Sequence, residues 1–103
     1  MRAGSLYRRI TIQRFESYDD GWGTVEDWAD LFHGWAQVVQ QTGREFFEAG
    51  GLEAVQRVVF RMRWREGITP LDRVIYRGIA YNIQDVRELG RAAGIELHAV
   101  ASV

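Results

Sequence analysis

The stretch Gln56-Arg57-Val58-Val59-Phe60-Arg61-Met62-Arg63-Trp64-Arg65 decides the fold class. Val58, Phe60, Met62 and Trp64 occupy the even positions, while Arg57, Val59, Arg61, Arg63 and Arg65 occupy the odd ones. Successive side chains of a strand point to opposite faces. The alternation therefore predicts a strand with one buried apolar face and one face lined with arginine. The same period recurs on both sides. Arg8 to Phe15 sets Ile10 and Ile12 against Arg9, Thr11 and Gln13. Phe32 to Gln41 sets Trp35 and Val39 opposite Ala36 and Val38, with apolar residues on both faces. Arg73 to Arg77, Ile79 to Val86 (Tyr81 and Ile83 sharing a face) and Ile95 to Val100 (Leu97 inward) complete the set. Between them lie turn-forming stretches: Tyr18 to Gly23, Glu66 to Leu71 with the only proline, Gly78, and Gly90 to Gly94.

Two segments break the pattern. Trp28 to Leu31 reads as a short helical turn or the lead-in to a strand. From Gly43 to Ala54, Thr42 and Glu45 have the spacing of a capping box, Phe46 and Phe47 follow, and Gly50-Gly51 closes the segment. This reads as a short helix or ordered loop of about two turns, with glycines as hinges. The fold class is thus all-β: a small antiparallel barrel or sandwich of about six strands, with one short helix or long loop inserted.

A chain of 103 residues, 47% hydrophobic and 26% charged, is expected to form one globular domain spanning 1–103. It has no cysteine, which excludes a disulfide scaffold, a thiolate zinc site and a cysteine nucleophile. Its apolar runs are far too short to span a membrane. Met1-Arg2-Ala3-Gly4-Ser5-Leu6 lacks the apolar core of a signal peptide, so the expected location is the cytosol or a particle assembled there. All thirteen basic residues are arginine. Residues 1–50 hold five of them against eight acids, and residues 51–103 hold eight against six. A near-neutral chain with a mild charge dipole suits head-to-tail contact between copies better than bulk nucleic-acid binding.

Catalytic groupings are thin. His33 and His98 fall on different strands, and no helical spacing supplies further metal ligands. Ser5, Ser17 and Ser102 lack a nucleophile-elbow context. Asp19-Asp20 and Glu26-Asp27 do not match a calcium loop and read as solvated charge. No enzyme, metal or cofactor is expected. Alternate strand residues lie about 6.6 Å apart, so Arg61, Arg63 and Arg65 would form a linear positive stripe that, with Arg57, faces a neighbouring subunit or DNA. The competing reading is a solvated face on which each arginine pairs with a cross-strand acid. Trp22, in a polar loop, and Trp28 are candidate interface anchors.

The order of elements resembles that of the tailed-bacteriophage head–tail joining proteins, the head-completion or stopper family. The matching residues are Gly4-Ser5-Leu6, Arg9-Ile10-Thr11-Ile12-Gln13-Arg14, Trp35-Ala36-Gln37-Val38, Gly43-Arg44-Glu45-Phe46, Arg63-Trp64-Arg65-Glu66-Gly67-Ile68, Asp72-Arg73-Val74, Gly78, Tyr81-Asn82-Ile83, Val86 and Leu97. Related gene-transfer particles, which package host DNA, use similar proteins. The resemblance implies a β domain with a long excursion, here Gly43 to Ala54, whose Gly43, Arg44, Glu45, Phe46, Phe47, Glu48, Gly50 and Gly51 would form a gating or docking loop. It also implies a structural role, as a ring of about twelve copies closed by heterologous contacts. The ring would dock on the adaptor below the portal, retain packaged double-stranded DNA and offer a platform to the tail terminator or tail. Its location would be the virion, with assembly in the host cytoplasm and no membrane partner. Two alternatives remain open at the level of residues. One is an OB-like single-stranded nucleic-acid module, which the arginines favour and the opposite placement of the aromatics disfavours. The other is a different connector ring, such as a tail terminator.

Overall fold

The computed structural model describes residues 7–48 and 51–102, and of the backbone alone for 40–48, 51–55 and 102. Its elements are six strands: β1 Tyr7–Asp19, β2 Thr24–Glu48, β3 Gly51–Met62, β4 Asp72–Tyr76, β5 Ile79–Leu89 and β6 Gly94–Ser102. They close into an antiparallel barrel in the order β1-β2-β3-β6-β5-β4, with no helix among the described residues. The all-β reading is correct, and the architecture is a barrel.

Alternation explains the core. Ile10 and Ile12 of β1, Ala36 of β2, Val58, Phe60 and Met62 of β3, Val74 and Tyr76 of β4, Tyr81 and Ile83 of β5, and Ile95, Leu97, Ala99 and Ala101 of β6 are all buried. Phe60 packs edge-on against Tyr76 and Tyr81, at 5.5 and 5.8 Å between centroids. Tyr81 donates its hydroxyl to Gln56 Oε1 at 3.0 Å, so its polar end is satisfied; burial pushes its pKa up. Three bulges bend the strands. Leu31 and Val39 are extra residues in β2 relative to β1 and β3, and Gln84 is extra in β5 relative to β6.

Three expectations need correction. The segment 43–54 is not a helix or a loop. Its described residues belong to β2 and β3, paired from Gly43↔Gln56 to Glu48↔Gly51. The capping pattern at Thr42 and Glu45 is a local preference of about 1 kcal/mol, and a continuous ladder with aromatic residues of high strand propensity overrides it. Trp28 to Leu31 is likewise strand, since β2 already begins at Thr24. Finally, β3 stops at Met62 and the chain bends at Arg63. The alternation written into the sequence continues past the end of the ladder. Trp64 is therefore not core but 41% exposed, and the arginine row is not a straight stripe to Arg65.

Two ribbons reach beyond the barrel. β1 pairs with β4 only over Thr11–Arg14, so Phe15–Asp19 and Thr24–Trp28 pair only with each other. β3 meets β6 only from Val55 onward, so 45–48 and 51–54 also pair only with each other. The ribbons leave from opposite ends of β2. The Cα radius of gyration is 15.4 Å, against about 13 Å for a compact chain of about 100 residues.

Candidate functional site

A groove opens where β2 and β3 part. The last β2–β3 rung on this side is Gln37↔Arg61, while β2 goes on pairing with β1 as far as Thr24. β3 then ends and Arg63–Arg65 diverge from the sheet. The resulting groove has a volume of about 600 Å³ and is lined by Tyr7, Phe32–Trp35 and Met62–Arg65. Aromatic rings and arginines thus line one concave surface.

Its floor is layered. The Phe32 ring lies across Gly34: a Cβ at position 34 would stand 2.4 Å from that ring, so only glycine admits the arrangement. The Arg65 guanidinium sits over the Phe32 ring, 4.1 Å from its centroid. Trp35 points outward and is 56% exposed, with Arg9 from the opposing rung 5.8 Å from its ring. Arg63 is exposed and makes no hydrogen bond, ion pair or ring contact among the described residues.

A buried carboxylate fixes the groove wall. Asp72 is 1% exposed and accepts two hydrogen bonds from Arg14, Nε to Oδ1 at 2.9 Å and NH2 to Oδ2 at 3.0 Å. It also accepts from the Thr69 backbone N–H at 2.9 Å. Arg14 donates further to the Gly67 carbonyl. This clamp ties the Arg63–Leu71 connection to β1. The hydrogen bond to Asp72, reinforced by its charge, pushes the Arg14 pKa up.

The arginines singled out in the sequence divide. Arg61 lies directly opposite Glu96 and donates to Oε2 from Nε at 3.2 Å and from NH2 at 2.6 Å. That pair matches the cross-strand-acid reading. Arg61's hydrogen bond, helped by His98 at 3.3 Å, holds the Glu96 carboxyl below the usual carboxylate range. Arg57 is exposed on β3, away from the groove, and Arg63 and Arg65 line it. Trp22 stands at the tip of the β1–β2 turn, 96% exposed. Trp28 is half-buried instead, edge-on to Phe15 at 5.3 Å and under Arg73 at 4.0 Å. Of the proposed gating loop, Gly43–Glu48 and Gly51 are paired strand and Gly50 lies outside the described residues. Residue-by-residue reading missed Phe32, Gly34 and Trp35 as groove residues. The one signal available was a glycine inside the strand pattern at His33-Gly34-Trp35, a mark of close approach.

Among the described residues no group of three His, Asp or Glu side chains is placed to hold a metal ion. The described residues thus form a closed barrel with two projecting ribbons and an open aromatic–arginine groove. The sequence model of the phage head completion protein family matches residues 1–102, and the chain belongs to that family. It is a structural protein of the virion head, not an enzyme, and assembles with other head and tail proteins. Two solved structures share the fold. A chain from the virion of a native gene transfer agent particle superposes with a TM-score of 0.72 at 20% identity, covering 93% of this chain and 94% of its own. The solution structure of protein SF1141 from Shigella flexneri 2a gives 0.68 at 23% identity, covering 98% and 96%. A search of curated proteins returns no match.

Proposed function

We propose that the protein forms a ring in the head–tail connector, as a single joining domain that docks on the adaptor below the portal. There it retains packaged DNA and presents a platform to the tail. The observation that carries this reading is the match of the head-completion family over residues 1–102. The architecture supports it. A heterologous ring needs two different surfaces on each copy, and ribbons leaving opposite ends of β2 supply them. The β2–β3 ribbon, 43–54, is the segment assigned to docking or gating. Among its described residues, 45–48 and 51–54 gain no third strand from their own barrel, which leaves both edges open to pairing with a partner. Arg63 and Arg65 are assigned to the subunit contact. Arg61 is already committed to Glu96.

The test is to assemble particles without the protein. Heads lacking it are expected to leak DNA and to fail to join tails, and adding the purified protein back is expected to restore both. Heads that keep their DNA and accept tails at the normal level would refute the reading. Electron microscopy of isolated connectors counts the copies, with about twelve expected.

A further inference from the structure

The groove and the β1–β2 tip are complementary in charge. Residues 15–27 contain five acids (Glu16, Asp19, Asp20, Glu26 and Asp27) and no arginine. Trp22 stands at their apex with almost its whole surface in water. That exposure is costly for an indole and unusual for a tryptophan not at an interface. The tip is also preformed. Asp19 Oδ1 accepts from the Gly21 N–H and Asp20 Oδ1 from the Trp22 N–H, both at 2.8 Å, and Asp20 N–H donates to the Gly23 carbonyl at 3.2 Å. An anchor held this way loses little conformational entropy on binding. The groove offers the converse: aromatic walls, the unengaged Arg63, Arg65 stacked on Phe32, and no acid among its described lining residues, with Asp30 the one carboxylate paired to its rim at His33, 3.5 Å away.

We infer that the β1–β2 tip of one copy docks in the aromatic–arginine groove of the next, with Trp22 as the anchor between Trp35 and Trp64 and the tip carboxylates against Arg63 and Arg65. The occupant is a second copy and not the same chain. Along β2, Thr24 to His33 spans on the order of 30 Å of extended strand, which holds the tip away from its own groove. The contact joins two different surfaces, so repetition yields a ring or an open filament rather than a closed dimer. A volume of about 600 Å³ accommodates an indole together with parts of its neighbours. This inference names the subunit contact of the connector ring proposed above and rests on that reading.

The chain has no cysteine, so engineered thiols report cleanly. A Thr24→Cys, His33→Cys double variant, which keeps Trp22, Trp35 and Trp64 and places its thiols at the exposed base of the tip and at the groove, is oxidised both in assembled heads and as purified protein in solution. Each single variant serves as the control for geometry. The expected result is a ladder of dimers, trimers and higher species with the double variant, and dimers at most with either single one. Trp22→Ala is expected to weaken self-association at least ~10-fold with an unchanged melting temperature. Copies with a reversed tip (Glu16→Arg, Glu26→Arg) are expected to associate with copies with a reversed groove (Arg63→Glu, Arg65→Glu), while neither set associates with itself. Heads containing the full complement of protein but giving no ladder would overturn the inference and leave the connector reading standing. Heads containing no copy would overturn the connector reading, and the solution ladder would still decide the contact. Binding of a single-stranded oligothymidylate that is lost in Arg63→Glu, Arg65→Glu, together with no effect of Trp22→Ala on self-association, would make the groove a nucleic-acid site and overturn the inference.

Discussion

Gln56–Met62 and Arg63–Arg65 carry one alternation of apolar and arginine residues across their junction, yet they meet opposite fates. Before the junction, β3 has β2 on one side and β6 on the other, and its even residues fill the barrel. After it the chain has no ladder partner. Trp64 turns outward, Arg65 stacks on Phe32, and a connection clamped by Asp72 forms the wall of a groove. The difference teaches that side-chain period states only which residues would share a face if the backbone were paired. Hydrogen-bonded neighbours decide whether it is.

The largest test of that contrast is a pair of truncations across the junction. Phe60→Ala is expected to cost about 3–5 kcal/mol in chemical denaturation, because it empties the centre of the aromatic core. Trp64→Ala is expected to stay under about 1 kcal/mol, being partly exposed in the groove. Equal losses would mean that Trp64 packs as core and that the junction lies further on.

Next in size is the clamp. Asp72→Ala removes charge-assisted hydrogen bonds from Arg14 and the Thr69 amide, and a loss of about 1.5–3 kcal/mol is expected. Hydrogen exchange is expected to rise across 63–71 and to stay unchanged in β6. Unchanged exchange in that connection would show that its other contacts suffice.

A smaller effect concerns the paired side of the junction. The folded-state pKa of Glu96 is depressed, so the stability it contributes is present above the usual glutamate range and is lost as the pH falls through the folded value. Glu96→Gln is expected to cost at most about 1 kcal/mol at neutral pH, since Arg61 is partly exposed. That gap is expected to close on acidification. A gap constant with pH would mean that the pair adds nothing beyond packing.

The smallest effect is expected for Arg63→Gln with Arg65→Gln, within about ±0.5 kcal/mol in the isolated protein. Their consequence belongs to assembly, which is expected to weaken with added salt as screened charges would. A marked loss of stability would place these arginines in the fold and not in the contact.

Much of the barrel was legible in the residues themselves. Ile10, Ile12, Val58, Phe60, Met62, Tyr81, Ile83 and Leu97 alternate with polar neighbours and are all buried, because a barrel's inside and outside impose a period of two on each strand. Arg77-Gly78 likewise announces its turn, and both residues adopt the positive φ that a tight hairpin needs. The polar turn around Trp22 was also legible, and Trp22 stands exposed at its tip.

What the tertiary structure alone decided is where each ladder stops. The local capping pattern at Thr42 and Glu45 yields to the strand partners Arg57 and Ala54 further along the chain, and no local preference encodes a partner. Nor does the chain itself reveal that β2 keeps β1 but loses β3 at Gln37, which is the event that opens the groove. Gly34, Phe32 and Arg65 meet there because two strands diverge. Their contact is set by long-range register, and a residue's own neighbours in sequence carry almost no information about register beyond which face it shares.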